Sequence, residues 1–404
     1  MAITISQTPQ LYSPANNPVI FAASSNASGF LYFQFEVFKQ GDSIPFQTLK
    51  LYPSPDNQTG VAVDISNVLK DVVEHEFKNY TTAITDTFTK NILQYYVKFT
   101  EKILGSGSVV DGANLSSSTY FAFNGALDKI SNKYFTYSNY VANQVANNQI
   151  RFLTTQPLTK NITDTTNEGL YFFVATSSTN ITARYIFYSS NGTVLKTDNR
   201  TITNANRIVR LNTSIARLKV DITPSTVIPN TKYFTVQLFN TSNTAISELR
   251  TYNYEPLPCH LDPINIVWVN KYGMLDTYQF VNPVSTLNVE RTLIQKNPLA
   301  IDGTGKLQEY NGNLFNIVDQ ILTVNPKQEI KASTRPLTDS EAQWLSGLLT
   351  SPQVYLQVTT DLFIPVTVSD STLTLTPKRF LTELNVYQFT FKLSDGFTPD
   401  YMIT

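Results

Sequence analysis

A mainly β fold is predicted by three features of this chain. Apolar and polar residues alternate over short runs, the spacing that sends every second side chain to one face of a sheet. Gly, Pro, Asn and Ser punctuate the chain between those runs, as turns require. Helical spacing is confined to a few short stretches. At 404 residues the chain exceeds the usual size of a single core. The pattern predicts tandem immunoglobulin/fibronectin-III-like β-sandwiches followed by an antiparallel sheet domain with one packed helix. The expected boundaries are 1–104, 105–168, 169–256 and 257–404.

In the first sandwich Phe30 to Phe38 sets the pattern, with Leu31, Phe33, Phe35 and Val37 on one face. Gln40-Gly41-Asp42 turns it, and Phe46 to Tyr52 returns. Asp64 is placed to cap a helix whose Ile65, Val68, Leu69, Val72 and Val73 recur at helical spacing through about Phe77. Leu93 to Glu101 reads as a strand that completes the module. Residues 105–168 open with Gly105-Ser106-Gly107-Ser108 and show little periodicity; they are expected to be an irregular insertion or linker, with a short helix over Ala122 to Lys129.

The second sandwich is read from Leu170 to Thr176, Ala183 to Ser189, Thr193 to Thr197, Ile208 to Leu211, Ala216 to Ile222 and Tyr233 to Asn240. Ser190-Asn191-Gly192 is its strongest turn, because Asn-Gly suits the type I′ hairpin. In the last domain Ile264, Ile266 and Trp268 begin a strand, Asn270-Lys271-Tyr272-Gly273 turns it, and Met274, Asp276, Tyr278 and Phe280 return as a hairpin. Leu287 to Ile294, Leu314 to Val324 and Gln328 to Thr334 continue the strands. Asp339 is expected to cap a helix over Ser340 to Leu349, with Ala342, Leu345, Leu348 and Leu349 facing inward. Val354 to Thr359, Phe363 to Val368, Leu373 to Leu375 and Asn385 to Lys392 finish the sheet.

The hairpin pattern Trp-Val-Asn-x-x-Gly-x-x-Asp-x-Tyr-x-Phe from Trp268 to Phe280 joins two further signatures. These are Ser351-Pro352-Gln353-Val354-Tyr355 downstream and Leu11-Tyr12-Ser13-Pro14-Ala15-Asn16-Asn17-Pro18-Val19 near the start. Together they resemble virion structural proteins, tail-associated ones in particular, of tailed bacteriophages of Bacteroidota, crAss-like phages included. The likeness covers most of the chain outside 101–160. It implies a tail-tube or baseplate-hub layout for the last domain, a virion location after assembly in the host bacterial cytoplasm, and a closed ring of copies of this chain.

Composition narrows the function classes. Charged residues are 15% of the chain, well under the ~25% of ordinary soluble domains, while 42% are apolar. Such an uncharged polar surface suits a permanent assembly, although many monomeric β-proteins share it. Thirty Lys and Arg balance 31 Asp and Glu for a net charge of −1, and no segment concentrates the bases, so there is no nucleic-acid footprint. No apolar run approaches the ~20 residues of a membrane span. The first residues carry neither a basic n-region nor a long apolar core, so no secretory leader is expected. The single cysteine, Cys259, excludes an internal disulfide.

Residue types that do chemistry are sparse. His75 lies between Glu74 and Glu76 on the first predicted helix and reads as a solvated side chain. Cys259 and His260 are neighbours on an extended segment, so their side chains diverge, and a linker thiol is the better reading. Paired-cysteine and H-E-x-x-H spacings are missing, which argues against zinc. Asp198, Asp361 and Asp370 could offer loop carboxylates to calcium but lack the Asp-x-Asp-x-Asp pattern. Glu36, Asp64, Glu255, Asp276 and Glu290 show no spacing that favours a glycosidase pair. Gly303 and Gly305 follow Asp302 in a loop rather than opening a helix, which gives no phosphate cradle. Tyr32, Tyr95, Tyr96, Tyr185 and Tyr188 could form a sugar platform or simply pack sheets.

The reading is therefore a non-enzymatic virion protein forming a ring or collar in the tail or head-tail junction, bound to copies of itself and to other tail, collar or baseplate proteins. No catalytic, cofactor or metal site is assigned. The alternative is a receptor- or glycan-binding module on the virion surface.

Overall fold

The computed structural model describes residues 3–80, 83–143, 150–175, 180–203, 207–255, 262–295, 300–301, 303–308, 310–311, 314–315, 319–359, 361–370, 386–393 and 401–402. The chain is mainly β, with two sandwiches and a C-terminal barrel.

The first module contains β1 (Ile3–Gln7), β2 (Tyr12–Pro14), β3 (Ile20–Ser25), β4 (Phe30–Lys39), β5 (Gln47–Leu51), β6 (Gly60–Asp64) and α1 (Ser66–Lys70). After β7 (Thr85–Phe88) come β8 (Ile92–Leu104), β9 (Val109–Ser116), β10 (Tyr120–Phe123) and α2 (Lys129–Tyr134). A β1-β3-β6 sheet faces a β2-β10-β8-β4-β5 sheet that also carries β9 against β8. Between them lie Phe21, Phe33, Phe35, Val97 and Phe99, the alternate positions that the period of two sends inward.

The second module contains β11 (Val141–Ala142), β12 (Thr159–Ile162), β13 (Gly169–Val174), β14 (Ile181–Tyr188), β15 (Val194–Ile202) and β16 (Arg207–Asn212). It continues with α3 (Ile215–Asp221), α4 (Val227–Asn230), β17 (Tyr233–Phe239) and β18 (Arg250–Tyr254). Its sheets are β11-β13-β16-β7 and β12-β18-β17-β14-β15. Asn191-Gly192 makes the expected turn, with Gly192 at a φ of +79°.

The third module opens on the predicted hairpin, β19 (Ile264–Val269) and β20 (Leu275–Gln295). Four two-residue strands follow, β21 (Ala300–Ile301), β22 (Leu307–Gln308), β23 (Tyr310–Asn311) and β24 (Leu314–Phe315). Then come β25 (Asp319–Ser333), α5 (Asp339–Thr350), β26 (Val354–Gln357), β27 (Phe363–Val368), β28 (Gln388–Leu393) and β29 (Tyr401–Met402). The order β20-β19-β26-β27-β28-β25 returns to β20, so this sheet is closed into an antiparallel barrel. Trp344, Leu345 and Leu348 of α5 pack into the same core as Trp268, Phe280 and Phe391. The cap of α5 is Thr338 rather than Asp339: its Oγ accepts from the Glu341 N–H at 3.3 Å, and the Glu341 carboxylate accepts from the Thr338 N–H at 2.8 Å.

Several expectations are corrected by tertiary pairing. The first helix stops at Lys70, because beyond it the chain is drawn out by bonds to a neighbouring turn. The Glu74 N–H donates to the Lys90 carbonyl, the Glu76 N–H to Asn91 Oδ1, and the Glu76 carboxylate accepts from Thr89 and Lys90. The 105–168 stretch is not an irregular insertion: it supplies β9 and β10 to the first module and β11 and β12 to the second. Ala122 lies within β10, and the helix foreseen there begins at Lys129, after the Asp128 carboxylate accepts from the Ser131 N–H. Ala216 to Asp221 is helical, with Ile215 and Leu218 buried on one face and Ile222 buried just past its end. The separate runs around Leu287 and Gln328 are parts of two long strands, β20 and β25. Leu373 to Leu375 lies outside the described residues.

The sandwiches are interleaved rather than bead-like. β7, which comes from the first quarter of the chain, pairs antiparallel with β16 of the second module. Arg210 fixes this crossing by donating to the carbonyls of Lys78 and Asn79 and to the Asp86 carboxylate, with its guanidinium over the Tyr80 ring. A fourth cluster is shared by all three modules: Phe121 and Phe123 from the first, Tyr171 and Phe173 from the second, Val267 and Met274 from the third. The hairpin thus sends Trp268 into the barrel and Val267 out to its neighbours, so one alternation serves two cores.

Gly273 locks that contact. Its φ is +75°, and a Cβ there would stand 1.6 Å from the Asn124 carbonyl oxygen. Gly273→Ala is expected to lower unfolding stability by at least about 3 kcal/mol. Gly41→Ala, at a φ of +95° in open space, should cost only the backbone term of about 1–2 kcal/mol. Urea midpoints of the two variants check this.

Candidate functional site

The turn that Gly273 permits places Asp276 at the meeting point of the modules. Asp276 is buried and accepts four hydrogen bonds, from Thr154 Oγ1 at 2.8 Å, Gln156 Nε2 at 3.2 Å, Asn270 Nδ2 at 3.1 Å and Trp344 Nε1 at 2.8 Å. Its donors come from the 150s segment, the hairpin turn and α5. Beside it Glu168 accepts from Gln156 Nε2 at 2.9 Å and is paired with Lys160, whose Nζ lies 4.5 Å from the Trp344 ring centroid. Burial pushes the carboxyls of Glu168 and Asp276 above their ordinary pKa values, with the Lys160 charge acting against it at both.

A crevice of about 1110 Å³ opens next to this cluster, between α5, the hairpin turn and the first module. Asn124, Asp128, Asn270, Lys271, Gln343 and Gln353 are among its walls. Asp128 is held at about 2 by the Ser131 hydroxyl and N–H, and lies 3.7 Å from Lys271 Nζ, so the pair is neutral overall. His75 also lines the crevice. It is half-buried on extended chain rather than solvated on a helix, and burial lowers its pKa while the Gly273 backbone and the Glu76 charge act against that shift.

The remaining candidate residues are scattered. Glu36 is on β4, Asp64 ends β6, Glu255 follows β18 and Glu290 lies on β20, each engaged locally. Asp64 accepts from the N–H groups of Val19 and Ser66, and Glu290 pairs with Lys327. Asp198 pairs with Arg200, Asp370 accepts from the Thr390 N–H, and Asp361 lies in a turn after β26. Among the described residues no three His, Cys, Asp or Glu side chains gather as metal ligands. Gly303 and Gly305 face open space between β21 and β22. Tyr95 and Tyr185 are core residues, whereas Tyr96 stacks on Phe38, Tyr188 on Tyr233, and Tyr32 leans on Tyr52. Cys259, His260 and Asp302 lie outside the described residues. No helix among the described residues is long and apolar enough to cross a membrane.

The largest feature that sequence reasoning missed is an arm. β19 pairs with β20 only up to Phe280, whereas β20 continues against β25 from Val284 to Gln295, opposite Lys331 to Asp319. At the antiparallel rise this ribbon is roughly 40 Å long. It leaves the barrel at Asn282, φ +53°, followed by Pro283, where the register shifts; a bulge with a missing donor bends the strand. Val284 and Leu287 fall on opposite faces by alternation and are 59% and 58% exposed, and Leu293 and Leu322 are exposed as well. The outer edge of β20 beyond Asn282 pairs with no other strand among the described residues. Asn282-Pro283 was its only advance signal.

No protein-family model matches the sequence, and no curated protein does. Several solved structures show a weak likeness to this chain, three of them as follows. Trypsin-activated alpha-2-macroglobulin from Escherichia coli is 10% identical over 83% of this chain, at a TM-score of 0.20. This chain spans only 26% of the macroglobulin. CBD12 from CALX1.2 is 8% identical over 60% of this chain and 83% of its own, at 0.16. A marsupial T cell receptor is 11% identical over 82% of this chain and 96% of its own, at 0.19. At such scores none of them informs on fold or function.

Asp276→Ala would leave the Trp344 indole, the Asn270 and Gln156 amides and the Thr154 hydroxyl without their shared acceptor, a loss expected to cost about 3–5 kcal/mol. Because burial raises its pKa, the native chain keeps a proton on Asp276 to higher pH than the unfolded chain does. That contribution is full below the ordinary Asp pKa and is lost as pH rises through the folded value. Urea midpoints of Asp276→Asn against wild type, from about pH 4 to about pH 8, should show the variant with the flatter profile.

Proposed function

We propose that this chain is a non-enzymatic structural component of a tailed-phage virion, forming a ring or collar in the tail or head-tail junction. The observation that carries the reading is the arm. A two-stranded ribbon in water is marginal by itself, and this one exposes apolar side chains on both faces and an open edge. Long exposed edges are normally blunted, because they invite another chain to pair. Here the arm stands on a barrel closed by α5 and held at the Asp276 cluster, a base suited to presenting it to a neighbour. The two faces and edges of a 40 Å ribbon offer about the ~800 Å² per partner that a stable interface requires. The low charge of the chain and the Trp268 to Phe280 resemblance support the same reading, with copies of this chain as first partners and other tail, collar or baseplate proteins above and below.

A glycan-binding role rests on one observation, the exposed Tyr52 beside Tyr32 with Lys50 over the Tyr32 ring. Tyr95 and Tyr185 are buried in separate modules, which leaves this pair without the continuous platform the sequence offered.

Val284→Asp, Leu287→Asp and Leu293→Asp, combined, are expected to leave the thermal midpoint within a few degrees of wild type while abolishing assembly. Sedimentation and negative-stain microscopy of purified protein check this: wild type forms rings and the triple variant stays monomeric. Rings from the triple variant, or a monomeric wild type that binds polysaccharide, would overturn the reading.

A further inference from the structure

The Lys160–Glu168 pair has an environment unlike any other lysine-carboxylate pair among the described residues. Its side chains are 7% and 1% exposed, whereas each of the others has at least one partner 32% or more exposed. Lys160 Nζ touches Glu168 Oε2, donates to the Thr277 carbonyl at 2.6 Å, and is covered by the Trp344 ring. Glu168 is held from the other side by Gln156 Nε2, and its backbone N–H donates to Ser214 Oγ at 2.8 Å. The same Gln156 amide bridges to Asp276, a second buried carboxylate. One ammonium and two carboxyls therefore lie in one cluster away from water, the ammonium against Glu168 alone, an arrangement whose desolvation is costly while the groups stay charged.

We propose that Lys160 and Glu168 condense spontaneously into an intramolecular amide once the chain has folded. The ammonium gives one proton to the carboxylate it touches, which leaves a neutral amine facing a neutral carboxylic acid. The Nζ lone pair attacks Glu168 Cδ and a C–N bond forms. The Cδ–OH bond then breaks, and the hydroxyl leaves with a second Nζ proton as water, while the third Nζ proton stays on the amide nitrogen. The product is neutral, nothing is oxidised or reduced, and no co-reactant is needed. The fold holds nucleophile and electrophile in contact, a circumstance worth effective molarities of about 10⁵ M or more in well-oriented pairs. Burial favours the uncharged carboxylic acid that reacts, and it raises the Glu168 carboxyl above its ordinary value.

The bond has a mechanical consequence. Lys160 is on β12 of the five-stranded sheet, and Glu168 immediately precedes β13 of the four-stranded sheet. The amide staples the two sheets of the second sandwich together, next to the barrel that carries the arm.

Intact mass spectrometry of the denatured full-length protein tests this. The expected mass is one water below that of the sequence, with fragmentation joining the peptides of Lys160 and Glu168 and with no tryptic cleavage after Lys160. Lys160→Arg keeps the ion pair but cannot condense under these conditions, and should show the full sequence mass. A wild-type chain of full sequence mass that is cleaved after Lys160, or a lost water mapped to other residues, would overturn the proposal.

Discussion

Asp276 is the acceptor on which three parts of the chain converge, and the order of the molecule follows from satisfying it. A carboxylate deep in protein is expensive unless donors surround it. Here they come from Thr154 and Gln156 before the second sandwich, from Asn270 in the hairpin turn, and from Trp344 on α5. Each donor fixes the element it belongs to. The turn is in addition pinned by Gly273 against the Asn124 carbonyl. The shared aromatic cluster around Phe123, Phe173 and Met274 supplies apolar burial across the same junction, at roughly 1.5–3 kcal/mol for each large side chain. Polar cluster and apolar cluster thus hold the modules at one place by different means.

Much of this was legible in the sequence where local signals and tertiary context agree. The Trp268 to Phe280 hairpin, the Asn191-Gly192 turn and the α5 helix follow from alternation, turn chemistry and helical spacing, and they stand where expected. The failures have a common cause, which is pairing with distant chain. Val72 and Val73 continue a helical stripe, but Lys90 and Asn91 draw the chain out beyond Lys70. Residues 109–116 mix Val, Leu and Ala with Asp, Gly, Asn and Ser without alternation, yet β8 supplies an antiparallel partner along their length. Ala216 to Ile222 supports either period, and the helix prevails because Ile215 and Leu218 share a buried stripe. β7 belongs to the second sandwich because Arg210 and β16 reach for it, and no local pattern encodes that. Of the junction, Asp276 was visible only as one carboxylate among several, since its value lies in donors up to 122 positions away.

Function follows from the contrast between the junction and the arm. The junction is satisfied and closed, whereas β20 and β25 run on beyond the barrel with apolar side chains on both faces. The bulge at Asn282-Pro283 separates the two regimes within a single strand. A chain with few charges, a rigid base and one long unsatisfied projection is suited to being built into something larger, and that suitability underlies the proposal of a virion ring.

The central claim is that the arm is the surface completed by a neighbour while the Asp276 junction is already complete in the single chain. Amide hydrogen exchange, measured on the isolated chain and on the assembled ring, tests it most directly. Amides of residues 284–295 should exchange rapidly in the isolated chain and become protected on assembly, with those of 264–280 slow in both. Unchanged exchange along 284–295, with new protection appearing elsewhere, would contradict it.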